Sequence, residues 1–170
     1  MKHLILFRHA QAERKSDTGD DFDRELTKRG RHDAALMGRV LLDAGYKPDA
    51  AVVSAARRTR ETWEHAGAAF SGVAVAYDRR LYEAAPRTLM EAAEPELRRA
   101  GSVILVGHNP AIQELAIALL KQGGASAAEV SRAKAAFPTA SAAAFTVASD
   151  GSLSAAKLFL APEHGGKAGE

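Results

Sequence analysis

The sequence contains no cysteine, which excludes a disulfide framework, a thiolate metal centre and any reaction begun by a cysteine nucleophile. Long apolar runs are also missing. The N-terminal segment Lys2 to Phe7 is too short for the hydrophobic part of a signal sequence, and no later segment approaches the roughly 20 apolar residues a spanning helix needs. A cytoplasmic protein without membrane contact is the expectation. Neither sign of charge is in large excess, with 23 basic against 21 acidic side chains, so no polybasic surface is implied. The Arg57, Arg58, Arg60 cluster has no interleaved aromatics of the kind that stack on bases, and nucleic acid is not an expected partner.

What is present fits one globular domain. The 170 residues are 46% hydrophobic, much of it alanine, enough to bury a core but not two well-packed ones. Residues 1–161 are read as a single domain, and residues 162–170, with little to pack, as a frayed tail. Lys2 to Phe7 is a continuous apolar, β-rich run ending abruptly in polar residues, the pattern of a buried parallel strand delivering its end to a loop. Thr27 is placed to cap a helix over Lys28 to Ala44, with Gly45 to end it. A second strand over Ala50 to Val53 leads through Ser54 into a helix carrying Trp63, Ala66 and Phe70 at core spacing.

Val73 to Tyr77 is a third strand with weak alternation. A helix near Arg87 to Ala100 follows, which Pro95 is expected to interrupt or restart. Val103 to Val106 is a buried strand, and Gly107-His108-Asn109-Pro110 leads into a helix over Ala111 to Leu120. After an alanine-rich stretch, Ala142 to Val147 and Leu153 to Leu160 form two antiparallel strands around the turn Ser149-Asp150-Gly151-Ser152. The alternation predicts an α/β fold: a three-layer α/β/α sandwich with a mostly parallel central sheet and an antiparallel edge.

In open α/β sheets, ligands bind at the C-terminal ends of the strands, where residues distant in sequence converge. Three strand ends carry notable groups: Arg8-His9, Ser54 to Thr62, and His108. Each alone is weak, since a histidine after a strand is more often a hydrogen-bonded structural residue than a catalyst. Metal binding is a second reading, but the histidines lack a close-spaced ligand pair. Together they suit phosphoryl transfer. A tetrahedral dianion favours planar, permanently charged donors, a role Arg8 and Arg58 fill, and a neutral imidazole at His9 is a competent nucleophile. Neighbouring arginine charges help keep that imidazole unprotonated. Gln11 and Asn109 flank the two histidines and are candidate substrate contacts, with Asn109 alternatively setting the helix entrance.

The strings Leu6-Phe7-Arg8-His9-Ala10, Ser54-Ala55-Ala56-Arg57-Arg58-Thr59-Arg60-Glu61-Thr62 and Val106-Gly107-His108-Asn109-Pro110 resemble the histidine phosphatase superfamily, the fold of phosphoglycerate mutases. Asp21-Phe22-Asp23-Arg24-Glu25-Leu26-Thr27-Lys28-Arg29-Gly30 is similar to the loop and helix start of its small SixA-type phosphohistidine phosphatases. The resemblance spans roughly residues 3 to 115. It implies that His9 is the phosphorylated nucleophile, that Arg8 and Arg58 are phosphate ligands, and that His108 is the second phosphate-pocket histidine, donating a hydrogen bond to a phosphoryl oxygen. It also implies a metal-independent hydrolase without a cofactor. Ala10 stands where a glycine is common and Ala55 where a proline is frequent. Arg57 and Arg60 match no catalytic position and read as a solvated helix face.

Glu83, after the third strand, is the best-placed carboxylate for a general acid, weighed against an exposed structural role. An oxygen leaving group gains typically ~10²-fold or more from such an acid. A phosphoramidate, whose P–N bond breaks readily once its imidazole is protonated, needs one less. The expected substrate is therefore phosphorylated, with a phosphohistidine-bearing protein as the favoured partner. The alternatives are a phosphomonoesterase acting on sugar phosphates or nucleotides, and a non-catalytic module that binds a phosphorylated ligand.

Overall fold

The computed structural model describes residues 1–162; beyond Pro162, the tail expected from the sequence lies outside the described residues. Six strands, β1 (Lys2–Arg8), β2 (Ala50–Ser54), β3 (Ala74–Asp78), β4 (Val103–Gly107), β5 (Ala142–Val147) and β6 (Leu153–Phe159), form one sheet in the order β3-β2-β4-β1-β5-β6. β1 to β4 pair in parallel, and the β5–β6 hairpin joins antiparallel beside β1. Helices α1 (Lys28–Asp43) and α2 (Arg57–Ala66) cover one face; α3 (Pro86–Arg99), α4 (Ala111–Gln122) and α5 (Ala127–Ala135) cover the other. This is the expected three-layer α/β/α sandwich.

The apolar run of β1 is continuous because both sides of the strand are buried. Leu4 and Leu6 enter the core beneath α3 and α4, while Ile5 and Phe7 enter the core beneath α1 and α2. β3 lies at the edge of the sheet with Val75 and Tyr77 exposed, which accounts for its weak alternation.

The α1 side is set by two close approaches that only glycine allows. A Cβ at Gly30 would lie 2.0 Å from the Gln11 carbonyl oxygen, and one at Gly38 would lie 2.3 Å from that of Ala66. The first seats the start of α1 against the loop after β1. The second lets α1 meet the end of α2 backbone to backbone. Thr27 caps α1 as expected, its hydroxyl accepting from the Gly30 amide at 2.9 Å.

Two local expectations are corrected, and one helix is added. Pro95 does not interrupt α3, which runs unbroken from Pro86 to Arg99. Its missing N–H deprives only the Glu91 carbonyl, and both residues are exposed, so water can serve that group. The helix bearing Trp63 ends at Ala66 and continues as a 3-10 turn over Gly67–Ala69; Phe70 reaches the core from beyond it, its ring stacked 6.3 Å from that of Trp63. The alanine-rich stretch contains α5, whose start Ser126-Ala127-Ala128-Glu129 has the Ser-x-x-Glu pattern of a capping box, with Ser126 accepting from the Glu129 amide. Among the described residues, no helix is long and apolar enough to cross a membrane.

Candidate active site

β4 lies between β1 and β2, so the ends of these three strands stand side by side. Arg8 is in register with Gly107, and Val53 with Val106. His9, His108 and Ser54 therefore leave the sheet at one level. The His9 amide donates to the Gly107 carbonyl at 3.0 Å, and the two imidazole centres are 5.4 Å apart. Arg8, His9, Arg58 and His108 are 6%, 3%, 7% and 8% exposed. Burying four such polar side chains together is costly for a fold to maintain, which makes the cluster a candidate functional site.

His9 has one defined tautomer. Its Nδ1 lies 2.7 Å from the Ala10 carbonyl oxygen, which can only accept, so Nδ1 carries the hydrogen and Nε2 keeps its lone pair. Burial, then His108, Arg8 and Arg58, hold this imidazole well below its usual pKa. Burial is thus the larger cause, ahead of the arginine charges invoked from the sequence. His108 falls to about 3, through burial first and Arg58 next, with Asp21 opposing. Both rings are neutral near pH 7. His108 Nε2 lies 2.8 Å from the Ser54 hydroxyl, and its buried Nδ1 makes no hydrogen bond to protein.

Both arginines are anchored by the fold. Arg8 Nη1 donates to the Phe137 carbonyl at 3.0 Å, and the same oxygen accepts from Asn109 Nδ2 at 3.2 Å. Arg58 sits in the first turn of α2, which Thr62 ties to the residue after His9: its hydroxyl accepts from the Ala10 amide and donates to the Arg58 carbonyl. Arg58 Nη1 donates to the Asp21 carbonyl at 2.9 Å and Nη2 to the Asp21 carboxylate at 3.1 Å, while its buried Nε makes no hydrogen bond to protein.

A cavity of about 320 Å³ opens from this cluster, lined in part by Asp21, Arg58, Tyr82, Glu83, His108 and Asn109. Asp21 accepts from the Tyr82 hydroxyl at 2.6 Å and pairs with Arg24. Partial burial raises its pKa, but hydrogen bonds from Tyr82, Arg24 and Arg58 outweigh that and hold the carboxyl well below the usual range. The Tyr82 phenol is pushed up to about 12 by burial and by Asp21. Phe22, beside Asp21, packs edge-on to Tyr82 and lies under the Arg79 guanidinium, which clips the Asp21 loop to the segment after β3.

Of the residues expected from the sequence, Arg8, His9, Arg58 and His108 gather in one cluster, and Glu83 and Asn109 line the cavity beside it. Glu83 is exposed and adopts φ 56°. Gln11 is elsewhere: its side-chain oxygen and its carbonyl both accept from Thr27, so it supports the start of α1. Arg57 bridges Glu25 and Glu61, clamping the loop to α2. Among the described residues, no three His, Asp or Glu side chains are grouped so as to hold a metal ion.

Sequence reasoning missed the Phe137 carbonyl, the Ser54 hydroxyl, and the Asp21–Tyr82 pair. A main-chain acceptor leaves no residue-type signal. Ser54 and Asp21 stood at the head of the strings that carried the resemblance, and that position was the available clue.

The model of the histidine phosphatase superfamily (branch 1) matches residues 4–100. An uncharacterized protein of Mycobacterium tuberculosis, Rv1276c, is 37% identical over 132 residues, covering 75% of this chain and 79% of its own. A SixA protein of Agrobacterium tumefaciens, assigned to the phosphohistidine phosphatases, is 29% identical with a TM-score of 0.77, covering 95% of this chain and 98% of that one. The fold is shared, at 22% identity and a TM-score of 0.60, by a mycobacterial glucosyl-3-phosphoglycerate phosphatase, over 93% of this chain and 97% of that one. The chain belongs to the histidine phosphatase superfamily, hydrolases that remove phosphoryl groups without requiring a metal ion.

Proposed function

We propose that this protein is a phosphohistidine phosphatase acting on a phosphorylated protein in the cytoplasm, with His9 as nucleophile. The observation that carries this reading is the buried, neutral His9, with Nδ1 donated to Ala10 and Nε2 available among Arg8, Arg58 and His108. The Nε2 lone pair attacks phosphorus as the P–N bond to the substrate breaks. Arg8, Arg58 and His108 stabilise the charge on the equatorial oxygens. A water then attacks the phosphorus of phospho-His9, releasing inorganic phosphate and returning the bonding pair to Nε2.

The leaving group departs into the cavity, where Asp21 is held ionised. A carboxylate held in that state is no proton donor, but it favours a leaving group that arrives as a cation. A phosphoimidazole protonated on its second ring nitrogen is such a group, and it departs as neutral imidazole without an acid. The mouth is also lined by exposed side chains from separate loops, which suits a protein segment.

A second reading, a small-molecule phosphomonoesterase, is favoured by one observation: Glu83 lines the same cavity and could protonate a leaving oxygen. One experiment separates the two. Phosphate release, with chelator present, is measured from a phosphohistidine-bearing phosphotransfer domain and from an aryl phosphate, using the intact protein and the His9→Ala and Glu83→Gln variants. The first reading expects His9-dependent release from the phosphotransfer domain that Glu83→Gln leaves intact. Release from the aryl phosphate alone, lost with Glu83, would establish the second. Turnover by His9→Ala equal to that of the intact protein would overturn both.

A further inference from the structure

We infer that Ser54 is a positioning residue that sets the tautomer of His108: its hydroxyl donates to His108 Nε2, so the ring hydrogen resides on Nδ1 and is offered to the phosphoryl group. The inference rests on the reading above only in taking the phosphoryl group as what His108 faces.

Two independent arguments fix the direction of this hydrogen bond. The first comes from the hydroxyl. Ser54 is fully buried, and its Oγ lies 2.8 Å from His108 Nε2 and 3.5 Å from the Ala56 amide. The amide can only donate, so it occupies the accepting side of Oγ. Among the described residues, His108 Nε2 is the one hydrogen-bond acceptor within reach of the hydroxyl hydrogen. If Nε2 were the donor instead, a fully buried hydroxyl hydrogen would have no acceptor, an arrangement folded proteins rarely keep.

The second argument comes from the ring. With Nε2 occupied, Nδ1 is the nitrogen left for the site, and it is buried without a protein partner. A lone pair there would repel a phosphoryl oxygen, whereas an N–H would bind it. The neutrality of His108 makes the distinction matter, because an imidazolium would donate from both nitrogens whatever Ser54 did.

The fold holds the pair rigidly. β2 and β4 are neighbours, in register at Val53 and Val106, one residue before Ser54 and two before His108. The Thr59 hydroxyl donates to the Ser54 carbonyl at 2.7 Å, locking the end of β2 to the first turn of α2. The arrangement parallels the way Ala10 fixes the tautomer of His9, except that a side chain does the work and can be removed.

The test is a long-range proton–nitrogen correlation spectrum of the ¹⁵N-labelled histidines at neutral pH, with His108 assigned by its loss in His108→Asn. That spectrum identifies the tautomer with or without turnover. The intact protein should show His108 as Nδ1–H. Ser54→Ala should transfer much of the population to Nε2–H and lower kcat by about tenfold or more with KM little changed. Ser54→Thr, which keeps the hydroxyl, should retain the tautomer and most of kcat. Nε2–H in the intact protein, or an unchanged tautomer in Ser54→Ala, would overturn the inference. Failure of the phosphatase reading would look different: no turnover by the intact protein, with the tautomer result standing.

Discussion

Holding His108 neutral in the folded state has a consequence for stability that can be worked through. The unfolded imidazole titrates near its model value of 6.5, whereas in the fold burial and Arg58 bring it down to about 3. Between those values the unfolded chain binds the proton and the folded chain does not, so stability rises with pH across the window and is lost as the pH falls from 6.5 toward 3. The shift corresponds to about 5 kcal/mol over the whole window, at about 1.4 kcal/mol per unit. Between about pH 6 and about pH 4.5, where most carboxylates stay ionised, one such group removes about 2 kcal/mol.

The perturbation is His108→Asn, which keeps a polar side chain but no titration. Urea unfolding of both proteins at the two pH values gives a difference of differences, so the variant's own loss of stability cancels. The half-buried His3, whose pKa is lowered mainly by burial, titrates alike in both proteins. His9 is also lowered, partly by His108 itself, and its pKa should rise toward the usual value in the variant. The variant should therefore lose about 2 kcal/mol less than the intact protein over this interval, or somewhat less still with the His9 contribution. An equal loss in the two proteins would refute the argument that His108 is buried in its neutral form.

Two further outcomes follow from the geometry. Gly38→Ala would place a methyl carbon 2.3 Å from the Ala66 carbonyl oxygen, so α1 and α2 must part; unfolding should show a loss of about 1–3 kcal/mol or more. In Asp21→Asn, a negative charge that competes for the Arg58 Nη2 donor is removed. Asp21 is half exposed, and solvent screening limits the gain to about 1 kcal/mol, so inorganic phosphate should inhibit about three- to tenfold more strongly, read as a lower inhibition constant.

The layers of the fold were legible because its signals are local. The unbroken apolar run of β1 reads as a strand buried on both faces, and Thr27 with Gly45 brackets α1 through caps that need no distant partner. Where local rules failed, context overrode them. Pro95 sits on an exposed face where the lost hydrogen bond costs little, and α5 hides in an alanine-rich stretch whose one clear mark is its Ser126 cap. Gln11 looked like a substrate contact because it lies near His9 in sequence. Along the chain it has passed the strand end, and the close approach at Gly30 turns it to Thr27 instead.

The sequence by itself determined the chemical groups of the site, two histidines and two arginines at strand ends, because residue type and strand context suffice to say what such groups can bind. Only the tertiary structure decided their states. Which nitrogen of His9 is free depends on the Ala10 carbonyl, and the protonation of His108 depends on depth of burial beside Arg58. The Asp21 carboxylate at the mouth depends on Phe22 packing between Arg79 and Tyr82. Tautomers, pKa values and mutual orientation arise from distances between residues up to about a hundred positions apart, such as His9 and His108, and those distances are set by strand order and register rather than by any pattern along the chain.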